Sequence, residues 1–153
     1  TETGQGIGSP QWHPCAAAAE VTVDTETGRV TIDRLYLALY VGRMINPTQC
    51  ELQVRGAALF GVGQALFEEL RWDEAGTPTN PNLSDYNIAS ALDCATIGHR
   101  LLEVPGAEVH GLGETAVPPV PPALGNAVAS LGYHPRRLPM TPERVLEDRC
   151  DSP

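Results

Sequence analysis

One change of phase constrains this chain more than any other feature. From Val21 to Val41 apolar and polar residues alternate, the mark of strands buried on one side. Val21 and Val23 share a face in a strand read from Ala19 to Thr25. Thr25-Glu26-Thr27-Gly28 then reverses the chain, with Gly28 placed to take a positive φ. In the second strand, Arg29 to Val41, the apolar set begins at Val30 and Ile32 and continues at Leu35, Leu37, Leu39 and Val41. A period-two face cannot change parity without an extra residue. The pattern therefore predicts an antiparallel hairpin with a β-bulge near Asp33-Arg34.

The next segment changes period. Asn46 followed by Pro47 is a helix start, an N-cap with proline in the first turn. Leu52, Leu59, Phe60, Leu66, Phe67 and Leu70 fall on one helical stripe and predict its buried face. Gly56, Gly61 and Gly63 interrupt this helix, each at a cost of ~1 kcal/mol against alanine. Gly56 and Gly63 lie on the predicted stripe, where they serve either close packing on a sheet or close approach of a bulky ligand. Further on, 73–78 reads as a turn and 80–86 as irregular. Ile97 to Val104 reads as a strand, and 106–122 as loop. Pro122 to Leu131 reads as a helix closed by Gly132, with Val120, Leu124, Val128 and Leu131 on one side. Thr141-Pro142-Glu143 caps a last short helix. These elements amount to an α+β fold, a mixed sheet with packed helices in two layers.

Composition removes several function classes. The chain has 153 residues and a net charge of −9, and all ten basic residues are arginine. So acidic a chain offers no electrostatic footprint for nucleic acid or an anionic membrane. No apolar run approaches the ~20 residues of a membrane span. Cys15, Cys50, Cys94 and Cys150 are far apart and form no CxxC pair. That spacing suits reduced thiols in the cytoplasm better than a zinc site. His13, His99, His110 and His134 are equally scattered, with no metal-ligand spacing. Residues 1–14 read as a loop-like extension, 15–147 as one domain and 148–153 as a polar tail. The ends read as those of a processed product, a split subunit or a fragment, with part of the core completed by other chains.

One stretch stands apart. In His110-Gly111-Leu112-Gly113-Glu114 a carboxylate ends a short glycine loop, and prolines stiffen the segment after it. A general base and a surface turn are both compatible with it.

Motifs spread along the chain resemble those of the molybdopterin-binding large subunit of molybdenum hydroxylases, the xanthine dehydrogenase, aldehyde oxidoreductase and aerobic carbon monoxide dehydrogenase group. AAAEVTVDTETGRV is similar to that family's EVxVDxxTG hairpin, and VGRMINP to its DVGxxINP. Gln53-Val54-Arg55-Gly56 followed by GVGQALFEEL resembles GQxxGGxxQGLGQALxEE. NPNLSDYNI, HGLGETAVPP and LPMTPERVL resemble NxxLxDYxIP, KGxGEPPL and LPxTPExVL. The order is the family's, over about 15–147. Gln5, in Gly4-Gln5-Gly6, also looks like a family GQG loop, but it stands too close to the hairpin and reads as coincidence.

The resemblance implies a molybdopterin-binding lobe, the C-terminal molybdenum-site part of a multi-subunit oxidoreductase. It implies hydroxylation of a carbon centre, of aldehyde or N-heteroaromatic type. Water is the oxygen source and hydride passes to molybdenum. Glu114 matches the family's catalytic glutamate, and Gln53 a glutamine that contacts the pterin. Gly56, Gly111, Leu112 and Gly113 become backbone approaches to the cofactor, and no residue of this chain becomes a metal ligand. The cofactor is molybdenum-molybdopterin, in the cytosine dinucleotide form, shared with the chain that carries the rest of the molybdenum subunit. A [2Fe-2S] subunit and an FAD subunit carry away the electrons taken from a small-molecule substrate. Tyr40, Leu52, Ala89, His110 and Thr115 depart from the family's usual residues and mark a side branch. The alternative expectation is a non-catalytic assembly domain that kept this fold.

Overall fold

The computed structural model describes residues 12–90, 92–93 and 96–149. Gln5, Cys94, Cys150 and most of the extension and tail lie outside these residues. The elements, in order, are β1 (Cys15–Val23), β2 (Val30–Gly42), α1 (Pro47–Leu66), β3 (Thr96–Glu103), α2 (Val120–Ala129) and α3 (Pro142–Glu147). The strands form one sheet in the order β1-β2-β3. β1 runs antiparallel to β2, and β3 parallel to it, so the sheet is mixed. The parallel pairing follows from the intervening helix, since α1 carries the chain back to the end where β2 began.

The bulge is where parity demanded it. Glu20 faces Arg34 and Val21 faces Ile32, which leaves Asp33 as the extra residue. The Thr22 hydroxyl donates to Asp33 Oδ2 at 2.8 Å across the irregularity. Ile32, Leu35, Leu37, Leu39 and Val41 are all buried, the face the shift was needed to preserve. On β1, Ala17, Ala19, Val21 and Val23 pack toward the same core. Their neighbours Ala16, Ala18, Glu20 and Thr22 are exposed, so the helices cover this strand on one side only. β1 begins at Cys15, four residues before the alternation is legible, because a run of alanines has neither strand propensity nor a polar partner set.

Gly28 takes φ +76°, and a Cβ there would overlap the Pro142 carbonyl, so turn conformation and packing both require glycine. The turn also has a titratable brace. Thr27 and Glu26 backbone N–H groups donate to Asp24 Oδ1 at 3.0 and 2.9 Å and hold its carboxyl below its ordinary value of 3.8. A depressed carboxyl stabilises above its unfolded value and loses that contribution as pH falls through the folded one. The Gly28 amide, which donates to the Asp24 carbonyl at 2.8 Å, should therefore lose exchange protection as pH drops below 3.8. Asp24→Asn keeps an acceptor oxygen and should remove that pH dependence, as NMR across this range would record.

α1 starts as expected. Asn46 Oδ1 accepts from Gln49 N at 3.2 Å and Pro47 occupies the first turn. Its buried face overlaps the predicted stripe only in part: Leu66 is buried and Leu59 and Phe67 pack against the core, but the face is centred elsewhere. Val54, Ala57, Ala58, Val62, Ala65 and Leu66 face the core, whereas Leu52 is 58% exposed and Phe60 69%. Phe67 caps the helix and Leu70 lies beyond it. The reason is proximity to α2. A Cβ on Gly61 would sit 2.7 Å from Val120 Cβ and 2.9 Å from the Val117 carbonyl, so only small residues fit on this side. Gly61 is thus the close-packing glycine, and Gly56 lies on the exposed side.

The remaining elements lock onto the end of α1. Arg144 pairs with Glu69 at 2.6 Å and donates to the Pro139 carbonyl at 3.0 Å. Met140 N donates to the Ala65 carbonyl at 2.7 Å. Buried Asn80 fastens the segment after α1, accepting from Arg71 N at 2.8 Å and donating to the Glu69 carbonyl at 2.7 Å. α3 is capped by Thr141 as expected. α2 starts two residues before Pro122, and Leu131, predicted on its apolar side, lies past its end and is exposed.

Candidate functional site

The chain after β3 turns back on the end of β2, where Gly42 pairs with Val109 and Arg43 N donates to the Glu108 carbonyl at 3.1 Å. This brings His110 edge-on to Tyr40, ring centroids 5.2 Å apart, and to His13 at 6.0 Å. The glycine loop leaves from that anchor. Leu112 is half-buried, with its side chain packed toward the core. Val117 N donates to the Glu114 carbonyl at 3.0 Å, a turn that runs on into α2. Glu114 is therefore held between a packed histidine and a helix start, on a loop that is itself glycine.

The opposite wall is α1. Gln53, Gly56, Phe60 and Gln64 are spaced three, four and four residues apart, which sets them along one side of the helix. Gln53 reaches the loop directly, its Nε2 donating to the Gly113 carbonyl at 2.7 Å. Between the walls is an open concavity of about 620 Å³, lined by Phe60, Gln64, Glu114, Val117, Pro118 and Pro121. Glu114 is exposed, and its carboxylate has no hydrogen bond or ion pair among the described residues. A Cβ added at Gly56, Gly111 or Gly113 would meet nothing within 4 Å. Gly111 and Gly113 thus leave open space along the loop that carries the carboxylate, and Gly56 leaves it on the exposed side of α1.

The structure thus brings Gln53, Gly111, Leu112, Gly113 and Glu114 to one place, with Gly56 on the neighbouring helix surface. Phe60 and Gln64 also belong to the lining, which the sequence reading misses. Their helical spacing from Gln53 is the signal that could have found them, but hydrophobicity places Phe60 on the predicted buried stripe. Among the described residues no group of three or more His, Cys, Asp or Glu could hold a metal ion. No helix among them is long and apolar enough to cross a membrane.

A family model described as molybdopterin cofactor-binding domain matches residues 1–95. The chain is 35% identical over 148 residues to the membrane-bound aldehyde dehydrogenase [pyrroloquinoline-quinone] of Gluconacetobacter polyoxogenes, covering 95% of this chain and 18% of the relative. It is 36% identical over 135 residues to a putative xanthine dehydrogenase molybdenum-binding subunit of Escherichia coli, covering 84% of this chain and 18% of the relative. In structure it is similar to quinoline 2-oxidoreductase from Pseudomonas putida 86, with a TM-score of 0.77 and 32% identity over 87% of this chain and 18% of that one. The chain therefore spans less than a fifth of the length of each of these relatives.

Proposed function

This chain belongs to the molybdopterin cofactor-binding domain family, and from that premise we propose that it forms one wall of a molybdenum–pterin pocket in which Glu114 is the general base of a carbon-hydroxylating oxidoreductase. The observation that carries this reading is the Glu114 carboxylate, without a partner among the described residues, in the lining of a concavity and on a loop whose Gly111 and Gly113 open onto empty space. That arrangement fits a large heteroatom-rich group, since the residues here offer backbone, amide and carboxylate.

When bound, the cofactor supplies the two-electron acceptor and the activation of water. This chain's residues do the rest of what the wall requires. Glu114 takes up a proton at a carboxylate oxygen, a step that commonly contributes ~10²–10⁴-fold. Gly56, Gly111 and Gly113 let backbone approach the cofactor without a side chain between. Gln53 retains an amide oxygen with no partner among the described residues, free to accept from the pterin. Phe60, Val117, Pro118 and Pro121 give the rim an apolar lining that would exclude water once the rest of the molybdenum subunit covers it.

The cytosine dinucleotide form suits this assignment. The rest of the molybdenum subunit would close the pocket, and [2Fe-2S] and FAD subunits would carry electrons away. A cytoplasmic setting suits the free thiols of Cys15 and Cys50. The aldehyde and quinoline named in the relatives' descriptions favour aldehyde or N-heteroaromatic substrates.

The test is molybdenum and pterin analysis of the complete protein purified from its own host, with a screen of aldehydes and N-heteroaromatics against an artificial electron acceptor. Near-stoichiometric molybdenum and turnover of one class are expected. A well-folded complex without molybdenum would instead identify a non-catalytic assembly domain. Expressed alone, the chain should melt without cooperativity, because Leu52, Phe60 and Leu92 stand exposed, and the rest of the molybdenum subunit should restore a sharp transition.

A further inference from the structure

We propose that Gln53 is a positioning residue for Glu114, a tie from α1 that sets the direction in which the carboxylate leaves the glycine loop. This inference rests on the reading of Glu114 as the base.

The tie is one hydrogen bond, Gln53 Nε2 to the Gly113 carbonyl at 2.7 Å, between residues 60 apart in the chain. Its leverage comes from the planarity of the peptide. The Gly113 carbonyl and the Glu114 N–H belong to the same rigid unit, so holding one oxygen also holds the Glu114 nitrogen and Cα. The loop cannot supply that restraint itself. Gly111 and Gly113 carry no Cβ, and one added at either position would meet nothing within 4 Å. Neighbouring contacts hold other parts of the loop. His110 rests against Tyr40, Leu112 packs toward the core, and Val117 N holds the Glu114 carbonyl at 3.0 Å. Of the hydrogen bonds among the described residues, the one from Gln53 is what fastens the peptide preceding Glu114.

The platform behind the tie is rigid. Gln53 stands on a twenty-residue helix, and the adjoining Val54 is fully buried. Gln53 itself is exposed, so replacing it removes the bond without opening the core. Methionine matches its length and helix propensity and has no N–H to donate.

The experiment compares Gln53→Met, Glu114→Gln and the double variant in the complete, cofactor-loaded protein. It reads molybdenum content, kcat, KM and amide exchange over 110–117. For Gln53→Met we expect some loss of molybdenum with the pterin contact and, per molybdenum retained, a kcat lower by ~10²-fold from misplacement of the base with KM within about twofold. Exchange of the Val117 N–H, which is bonded to the Glu114 carbonyl, should speed by on the order of tenfold, a change seen without turnover. The double variant should be no slower than Glu114→Gln alone, because a tie has nothing to position once the base is gone. Unchanged kcat and exchange in Gln53→Met, with Glu114→Gln inactive, would overturn the inference and leave the base assignment standing. Lost molybdenum with unaltered loop exchange would also overturn it and make Gln53 a cofactor ligand alone. If Glu114→Gln stays active, the base assignment fails first, whatever Gln53→Met does.

Discussion

Glu114→Gln should lower kcat by ~10²–10⁴-fold while leaving molybdenum content and folding unchanged. The substitution keeps the size and hydrogen-bonding shape of the side chain and removes its basicity. Glu114 is exposed and its carboxylate holds no partner among the described residues, so the fold loses no side-chain interaction. Stability should then stay within about 0.5 kcal/mol of the parent. The loss should fall on the chemical step. Under anaerobic conditions the variant's metal should stay oxidised for long after substrate is added, where the parent is reduced at once. Reduction at the parent's rate with full cofactor loading would place the base elsewhere and leave this chain a structural lobe.

Two alanine substitutions in α1, five residues apart, should act with opposite sign. Gly61→Ala forces a Cβ to within 2.7 Å of Val120 Cβ and 2.9 Å of the Val117 carbonyl. One neighbour is backbone and the other is the root of a buried side chain, so α1 and α2 must separate. Overpacking of this kind costs ~1–3 kcal/mol, more than the helix propensity that alanine adds. Because Val117 and Val120 come soon after Glu114, the glycine loop should loosen as well. Gly56→Ala meets nothing within 4 Å and should stabilise α1 by up to ~1 kcal/mol. Its cost should appear in function, since the added methyl lies where the cofactor would approach, and molybdenum content should fall. Chemical denaturation and metal analysis of the two variants read both effects. A Gly56→Ala protein that is more stable and fully loaded would remove Gly56 from the cofactor wall.

What the sequence revealed was local chemistry. The bulge at Asp33 was legible because a buried face must keep its parity. Asn46 and Thr141 were legible because a cap, a proline and a helical run lie within a few residues of one another. Glu114 stood out because a carboxylate ending a glycine loop is uncommon. The buried face of α1 was legible only at Leu59, Leu66 and Phe67, because hydrophobicity also points to Leu52 and Phe60, whereas the small space that Val120 leaves beside Gly61 sets the side that faces α2. That space is a property of two helices far apart in the sequence. The parallel pairing of β3 and the bond from Gln53 to Gly113 were hidden for the same reason, as contacts between segments about 60 residues apart. The alanines at the start of β1 carried too little pattern to be read as strand.

The exposed side of α1 connects fold to function. Leu52 and Phe60 have the hydrophobicity of core residues, and an isolated lobe exposes them beside Gln53 and Gly56. In a protein of which this chain spans less than a fifth of the relatives' length, such a surface is where further chain and cofactor would meet. The same helix buries Val54, Val62 and Leu66 inward with its alanines and leaves Leu52 and Phe60 exposed, Phe60 lining the concavity.

The central claim is that the glycine loop and the outer side of α1 together face a molybdenum–pterin cofactor. A high-resolution structure of the complete, cofactor-loaded protein tests it directly. The Glu114 carboxylate should lie within hydrogen-bond reach of the metal's coordination sphere, with Gly56, Gly111 and Gly113 lining the cofactor and Gln53 still bonded to the Gly113 carbonyl. A cofactor seated away from this rim, with Glu114 open to solvent or buried against another chain, would contradict it.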